Sequence, residues 1–225
     1  MTGKTAPAMA LRARLLEAML VEADAQGWNS AAFDAAARRA GLSPGEAQLA
    51  APRGPLELIE AFADRLDKEL AVELADEDLA AMKVRERVTL AVRKRIELVA
   101  PYKQAARRAA ARLALQRDGV LAGTLAWRTA DTIWRALDDK STDGNFYSKR
   151  AILGGVYAST LGVWLMDQSP DGRRAWDFLA ARIENVMQFE KFKATRLKPL
   201  GFAAFAAIGE LAKWRYREDD SVKAS

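Results

Sequence analysis

The chain predicts an all-α fold, and three observations carry that prediction. Proline and glycine are sparse, at 7 and 14 among 225 residues, while alanine, leucine, lysine, arginine and glutamate are plentiful. Strict apolar–polar alternation, the mark of a half-buried strand, is missing. Apolar residues instead recur three and four apart, which puts them on one face of a helix. At 225 residues the chain can bury a sizeable core as one domain or two small ones.

Leu11, Leu15, Leu16, Met19 and Leu20 make a first amphipathic helix ending near Gly27. Asn29 or Ser30 can cap a second, carrying Phe33, Ala36, Ala37 and Ala40. Gly41-Leu42-Ser43-Pro44 reads as a tight turn, with a short helix Gly45–Ala51 after it. Helix, helix, glycine turn and short helix is the helix-turn-helix plan. The wording Gly27-Trp28, Ala37, Ala40-Gly41-Leu42-Ser43 and Leu56 to Phe62 resembles the N-terminal module of tetracycline-repressor-type regulators. Such regulators commonly grip phosphates with an aromatic and a downstream lysine, where this chain has Gln48 and about Gly54. Residues 1–80 carry 8 Lys+Arg against 14 Asp+Glu, so 8 − 14 = −6. Duplex binding relies on neutralising phosphates, so the module is expected to be a degenerate scaffold and no nucleic-acid partner is expected.

Residues 54–75, with Leu56, Leu58, Ile59, Phe62, Leu66 and Leu70, make a connecting helix. Helices near 79–100, 102–117 and 119–137 follow, separated by Pro101 and Asp118-Gly119. Residues 81–225 carry 27 Lys+Arg against 16 Asp+Glu, or +11, which with −6 recovers the net +5. Basic runs at Arg85/Arg87, Arg93-Lys94-Arg95 and Arg107-Arg108/Arg112 read either as a solvated face or as contacts to anionic headgroups. Trp127, Trp134, Tyr157 and Trp164 read either as core or, beside Gly154, Gly155, Ala158 and Gly162, as the lining of an apolar cavity.

The stretch Asp138 to Arg150 looks like a helix start, rich in the capping types Ser141, Thr142, Asp143 and Asn145. Phe146, Tyr147, Ile152, Leu153, Val156, Tyr157, Leu161, Trp164 and Leu165 then form a broad apolar face, closed by Asp167-Gln168-Ser169-Pro170-Asp171. Trp176, Phe178, Leu179, Ile183, Val186 and Met187 form the next helix. The composition shifts beyond it. Leu200, Phe202, Phe205, Ile208, Leu211 and Trp214, flanked by basic residues, read as a helix lying in a membrane interface, or packed on the core or a second subunit. The tail from Asp219 is expected to be disordered.

The residues Ser141, Thr142, Asp143, Asn145, Phe146, Tyr147 and Arg150 carry a second resemblance, continued by Asp167, Ser169, Pro170, Asp171, Trp176, Phe178, Leu179 and Arg182. Over roughly residues 80–185 this wording resembles the lipid-binding accessory protein family of ubiquinone (coenzyme Q) biosynthesis. That family commonly has Trp where Phe146 stands; the ring is kept and the indole N–H donor is lost. The resemblance implies a tetracycline-repressor-like fold of about nine or ten helices: a 1–80 helix-turn-helix-like module, an 81–189 lipid-binding core, and a 190–225 membrane-associating helix and tail. It implies a lipid or ubiquinone precursor as ligand, held by Trp127, Trp134, Gly155, Tyr157 and Trp164. It implies a demethoxyubiquinone hydroxylase as partner, met by Asp143, Phe146, Tyr147 and Arg150, with a homodimer as the expected assembly. The expected place is the inner face of a bacterial membrane or the mitochondrial matrix side. The alternative is a one-component transcription regulator with a hydrophobic ligand.

Composition excludes much chemistry. Cysteine and histidine are both absent, which removes disulfides, thiolate sites, Ser-His-Asp and Cys-His catalysis and an Glu-x-x-His iron site. No Gly-rich phosphate loop has the required spacing, and no acid pair sits in an apolar setting. A binding protein without a cofactor is the expectation. No stretch reaches the ~20 apolar residues that span a bilayer, so a soluble or peripheral chain is expected.

Overall fold

The computed structural model describes residues 5–196, apart from 116, 117 and 143, and among these no strand occurs. Nine α-helices follow one another: α1 (Thr5–Gln26), α2 (Ser30–Arg39), α3 (Pro44–Ala50), α4 (Pro55–Ala75), α5 (Val84–Glu97), α6 (Lys103–Leu113), α7 (Gly119–Ala136), α8 (Gly144–Met166) and α9 (Arg173–Arg196). Short 3-10 turns at Leu79–Ala81, Ala100–Tyr102 and Pro170–Gly172 bend the chain between them.

The N-terminal boundaries follow from local chemistry. Gly27 and Gly41 take left-handed φ values of 84° and 64°, a region where a Cβ would be strained, and end α1 and the α2 turn. The Asn29 side chain accepts from Ala32 N at 2.9 Å. Ser43 and Glu46 form a reciprocal capping box around Pro44. Farther on, the helix expected over 79–100 starts only at Val84, because the Glu86 carboxylate accepts from Lys83 N at 2.8 Å and restarts it there. The last described helix, α9, runs to Arg196.

α1 packs on α2, α3, α4 and α6, α4 on α7, and α8 lies between α7 and α9. Buried residues from Leu15 to Ile183 form one contiguous core. Trp28, 2 % exposed, joins its two ends by donating from Nε1 to Ala105 O at 2.9 Å. The basic runs that could meet headgroups are largely held within the fold. Arg108 donates to Asp24 O and Ala25 O, answering carbonyls left open at the C-terminal end of α1, and Arg112 donates to Trp28 O in the turn after it. Arg85 pairs with Glu184, Arg93 with Glu97, Lys94 with Glu77, and Arg95 with Asp67.

Candidate functional site

The turn between α7 and α8 builds the most connected polar cluster of the signature stretch. Asp138 takes a left-handed φ of 56°, and Asp139 N donates to Trp134 O at 3.0 Å, closing α7. That closure turns the Asp139 side chain inward, leaving it 7 % exposed. Its carboxylate meets Lys149 Nζ at 2.7 Å, Ser141 Oγ at 2.9 Å and Arg150 Nη1 at 3.4 Å. Burial pushes the Asp139 carboxyl upward, yet the hydrogen bonds from Lys149 and Ser141 and the Lys149 charge outweigh it and hold the group below its ordinary range. Arg150 Nε also donates to Asp131 Oδ1 at 2.6 Å and its Nη1 to Phe146 O at 3.2 Å.

Arg150 therefore corrects the expected partner surface. It is 2 % exposed, so it supports the surface from beneath. Its guanidinium carbon lies 3.4 Å from the Phe146 ring centroid, a cation under an aromatic face. Phe146 is half-buried between that cation and the Tyr147 ring, whose centroid is 5.1 Å away edge-on. Tyr147 is 65 % exposed and reaches the half-buried Trp127 at 6.1 Å. The surface that remains is an aromatic ledge of Tyr147, Phe146 and Trp127. Asp143 lies outside the described residues, as do Leu200, Phe202, Phe205, Ile208, Leu211 and Trp214.

The five residues expected to line one lipid cavity are dispersed. Trp127 borders a cleft of about 470 Å³ between α4 and α7, with Asp64, Asp67, Lys68 and Arg128 around it. Trp134 is tied to the turn, donating from Nε1 to Lys149 O at 3.2 Å beneath the Lys149 ammonium. Tyr157 is buried in the core with the Arg95 guanidinium 5.5 Å from its ring. Burial, with the Asp67 charge added, raises its phenol above the usual range against the opposing Arg95 and Thr129. Trp164 is buried under Lys103 Nζ, 4.4 Å from its centroid. Large aromatics pack most favourably when enclosed, and here three different neighbours enclose them.

Gly155 alone of the five borders an apolar groove. Ile152, Gly155, Val156, Ser159, Arg182, Asn185 and Val186 enclose about 460 Å³ between α8 and α9. A Cβ at Gly155 would meet nothing within 4 Å, whereas one at Gly154 would lie 3.3 Å from Ala126 O, where α7 and α8 touch. Tyr147, Ala151, Gly155, Ala158, Gly162 and Met166 are all exposed and three or four apart, so one side of α8 faces solvent without a charge. The ledge and the groove share this helix, and eight residues from Tyr147 to Gly155 span about 12 Å.

The sequence reading missed the buried cluster of Asp67, Arg95 and Thr129, with Arg95 Nε 2.7 Å and Thr129 Oγ1 2.9 Å from Asp67 Oδ1. A signal existed: Arg95 falls seven residues after Val88 and three after Val92, on the apolar face of α5. Among the described residues no group of three or more His, Cys, Asp or Glu side chains is placed to hold a metal ion, and no helix is long and apolar enough to cross a membrane.

A family model described as COQ9 matches residues 121–190, from the start of α7 into α9. The chain is 32% identical over 184 residues to "Ubiquinone biosynthesis protein COQ9, mitochondrial" of Bos taurus, covering 79% of this chain and 57% of that protein. It is 30% identical to the Homo sapiens protein of the same name, covering 79% and 58%. It is 27% identical to "Probable ubiquinone biosynthesis protein coq9, mitochondrial" of Dictyostelium discoideum, covering 81% and 62%. The chain thus spans about three fifths of the length of these relatives. The solved structure of a TetR transcriptional regulator from Nitrosomonas europaea superposes with a TM-score of 0.61 at 19% identity, covering 78% of this chain and 97% of that one. The helices that build the ledge and groove are those that the COQ9 family model matches, and over most of its length the chain is similar to COQ9 proteins, on a TetR-like helical fold.

Proposed function

We propose that the protein is a non-catalytic lipid-binding accessory of ubiquinone biosynthesis. It holds a lipid or quinone precursor in the α8–α9 groove and presents it to a hydroxylase docked on the aromatic ledge. The observation that carries this reading is the uncharged solvent face of α8, which joins the ledge at Tyr147 to the apolar groove at Gly155. Groove walls of Ile152, Val156 and Val186 suit an acyl or isoprenoid chain, and Arg182 and Asn185 offer donors to its polar head. The names of the relatives supply the pathway, and the expected absence of catalytic groups suits binding over turnover. Membrane attachment through residues 198–216 and a homodimer belong to the same proposal.

Organic extraction and mass spectrometry of the purified protein test it. An isoprenoid or other lipid should be recovered from the unmodified chain and lost from Gly155→Trp, which fills the groove from an open position. Equal recovery from both would sink the assignment of the groove. The regulator reading gains no support from the structure: Glu46 is engaged in the Ser43 cap, and α3 spans only Pro44–Ala50.

A further inference from the structure

We propose that the cleft between α4 and α7 is a second binding site, separate from the groove, for a planar aromatic ring that carries an anionic group. Free aromatic acids and nucleotide phosphates both have that chemistry. Asp64, Asp67, Lys68 and Ala71 recur three and four apart, so they share one face of α4, opposite Trp127, Arg128, Asp131 and Thr132 of α7. The space between the two rows is about 470 Å³, a size usual for small-molecule sites.

The charge of the ligand follows from which groups are already engaged. Every carboxylate of the cleft has an arginine. Asp64 meets Arg128 at 2.6 Å, and Asp67 meets Arg95 at 2.7 Å with Thr129 beside it. Asp131 holds Arg150 at 2.6 Å and Arg135 at 2.7 Å. Glu60, one turn before Asp64, is taken on both oxygens by Arg53. Arg150 is shared with Asp139, whose charge Lys149 already balances. Five cations, Lys68, Arg95, Arg128, Arg135 and Arg150, thus stand against three carboxylates, an excess of 5 − 3 = 2. A cationic ligand would meet no free carboxylate here. An acyl chain would strip water from charged walls and give nothing in return.

Spare donors lead to the same chemistry. Lys68 is exposed and has no ion pair, and neither the Thr132 hydroxyl nor the Trp127 indole N–H has a partner among the described residues. Arg128 keeps further guanidinium N–H groups beyond the one given to Asp64. A carboxylate or phosphate oxygen accepting from Lys68 and Arg128 makes charge-assisted bonds, roughly twice as strong as neutral ones. Trp127 supplies the preference for a ring. It is half-buried with the Tyr147 ring 6.1 Å away, and a flat ligand stacks on the face it leaves open. The occupant therefore rests on a side chain that also forms the ledge.

Calorimetric titration of the full chain with benzoate, benzamide and cyclohexanecarboxylate separates charge from ring. Benzoate should bind at least tenfold tighter than the neutral amide and than the saturated acid. Adenosine monophosphate against adenosine makes the same comparison for a nucleotide, and the tighter of the two anions names the source. Lys68→Gln, at an exposed position, should weaken the aromatic anions at least tenfold, while Lys140→Gln, 83 % exposed on the α7–α8 turn, should leave them unchanged. With isotope-labelled tryptophan, the Trp127 indole resonance, assigned through Trp127→Phe, should move on titration while that of buried Trp28 stays in place. Benzoate binding no tighter than benzamide, together with the monophosphate no tighter than adenosine, would overturn the anionic requirement. Benzoate matched by cyclohexanecarboxylate would overturn the aromatic one. Binding untouched by Lys68→Gln, or no binding by either anion, would overturn the site itself.

Discussion

Arg150 and Tyr147 sit three residues apart and divide the labour of the ledge between support and contact. Arg150→Ala would leave Asp131 and Asp139 facing each other without their shared cation, and breaking a buried pair in this way costs about 3–5 kcal/mol. Chemical denaturation should show that loss. Phe146→Lys should also lower the denaturation midpoint clearly, because an ammonium would replace the ring lying 3.4 Å from the Arg150 guanidinium. Tyr147→Ala should shift stability by less than ~0.5 kcal/mol, as exposed substitutions do, while weakening capture of the proposed hydroxylase partner at least tenfold in a pull-down titration. Unchanged capture would remove Tyr147 from the contact. Asp139 adds a pH dependence. Its carboxyl titrates lower in the folded chain than in the unfolded one, so its contribution is complete above about pH 4 and fades as pH falls through the folded value. Asp139→Asn should therefore flatten the stability profile below about pH 4, read by urea midpoints across pH. The aromatic and basic types of this stretch were legible in the sequence. The inward turn of Arg150 was not, because it depends on Asp131 from α7 and on a left-handed Asp138 that carries no glycine signal.

Neighbouring glycines on α8 face opposite environments, and this sets the chemistry of the whole helix. Gly154→Ala would push a methyl against the Ala126 carbonyl at 3.3 Å, a backbone atom that yields only if α7 moves, so destabilisation of about 1–3 kcal/mol is expected. Gly155→Ala meets open space and should stabilise the helix by about 0.4–1 kcal/mol through the unfolded chain. Thermal denaturation of the two variants separates these outcomes. Most helices could be placed from three- and four-residue spacing, the second from the cap at Asn29 and the turn after it from Gly41; the Ser43 capping box was not read there. Spacing could not show that Trp127, Trp134, Tyr157 and Trp164 turn to separate neighbours, since a helical wheel gives direction around one axis and says nothing of which helix lies beyond it.

At the scale of the molecule, the acidic front and basic back of the chain turn out to be stitched together. Arg108 and Arg112 meet carbonyls of α1 and of the turn at Trp28, and Lys94 meets the Glu73 carboxylate of α4. A chain ending at Arg196 should consequently unfold in a single cooperative transition by circular dichroism, while losing flotation with anionic liposomes. Retained flotation would shift membrane attachment onto the helical body. The charge asymmetry was readable by counting; its use inside the fold was not, because pairing is a property of distance. Trp28, reaching from the end of α1 to Ala105 of α6, has a consequence for information flow. In a molecule that signals, a bound ligand must move a distant part, and that needs a hinge with two settings. Here the indole and two arginines lock α1 to α6, so filling the α8–α9 groove has no lever by which to swing α3. Occupancy of the proposed lipid site would then be read locally, by whatever touches the ledge about 12 Å along α8.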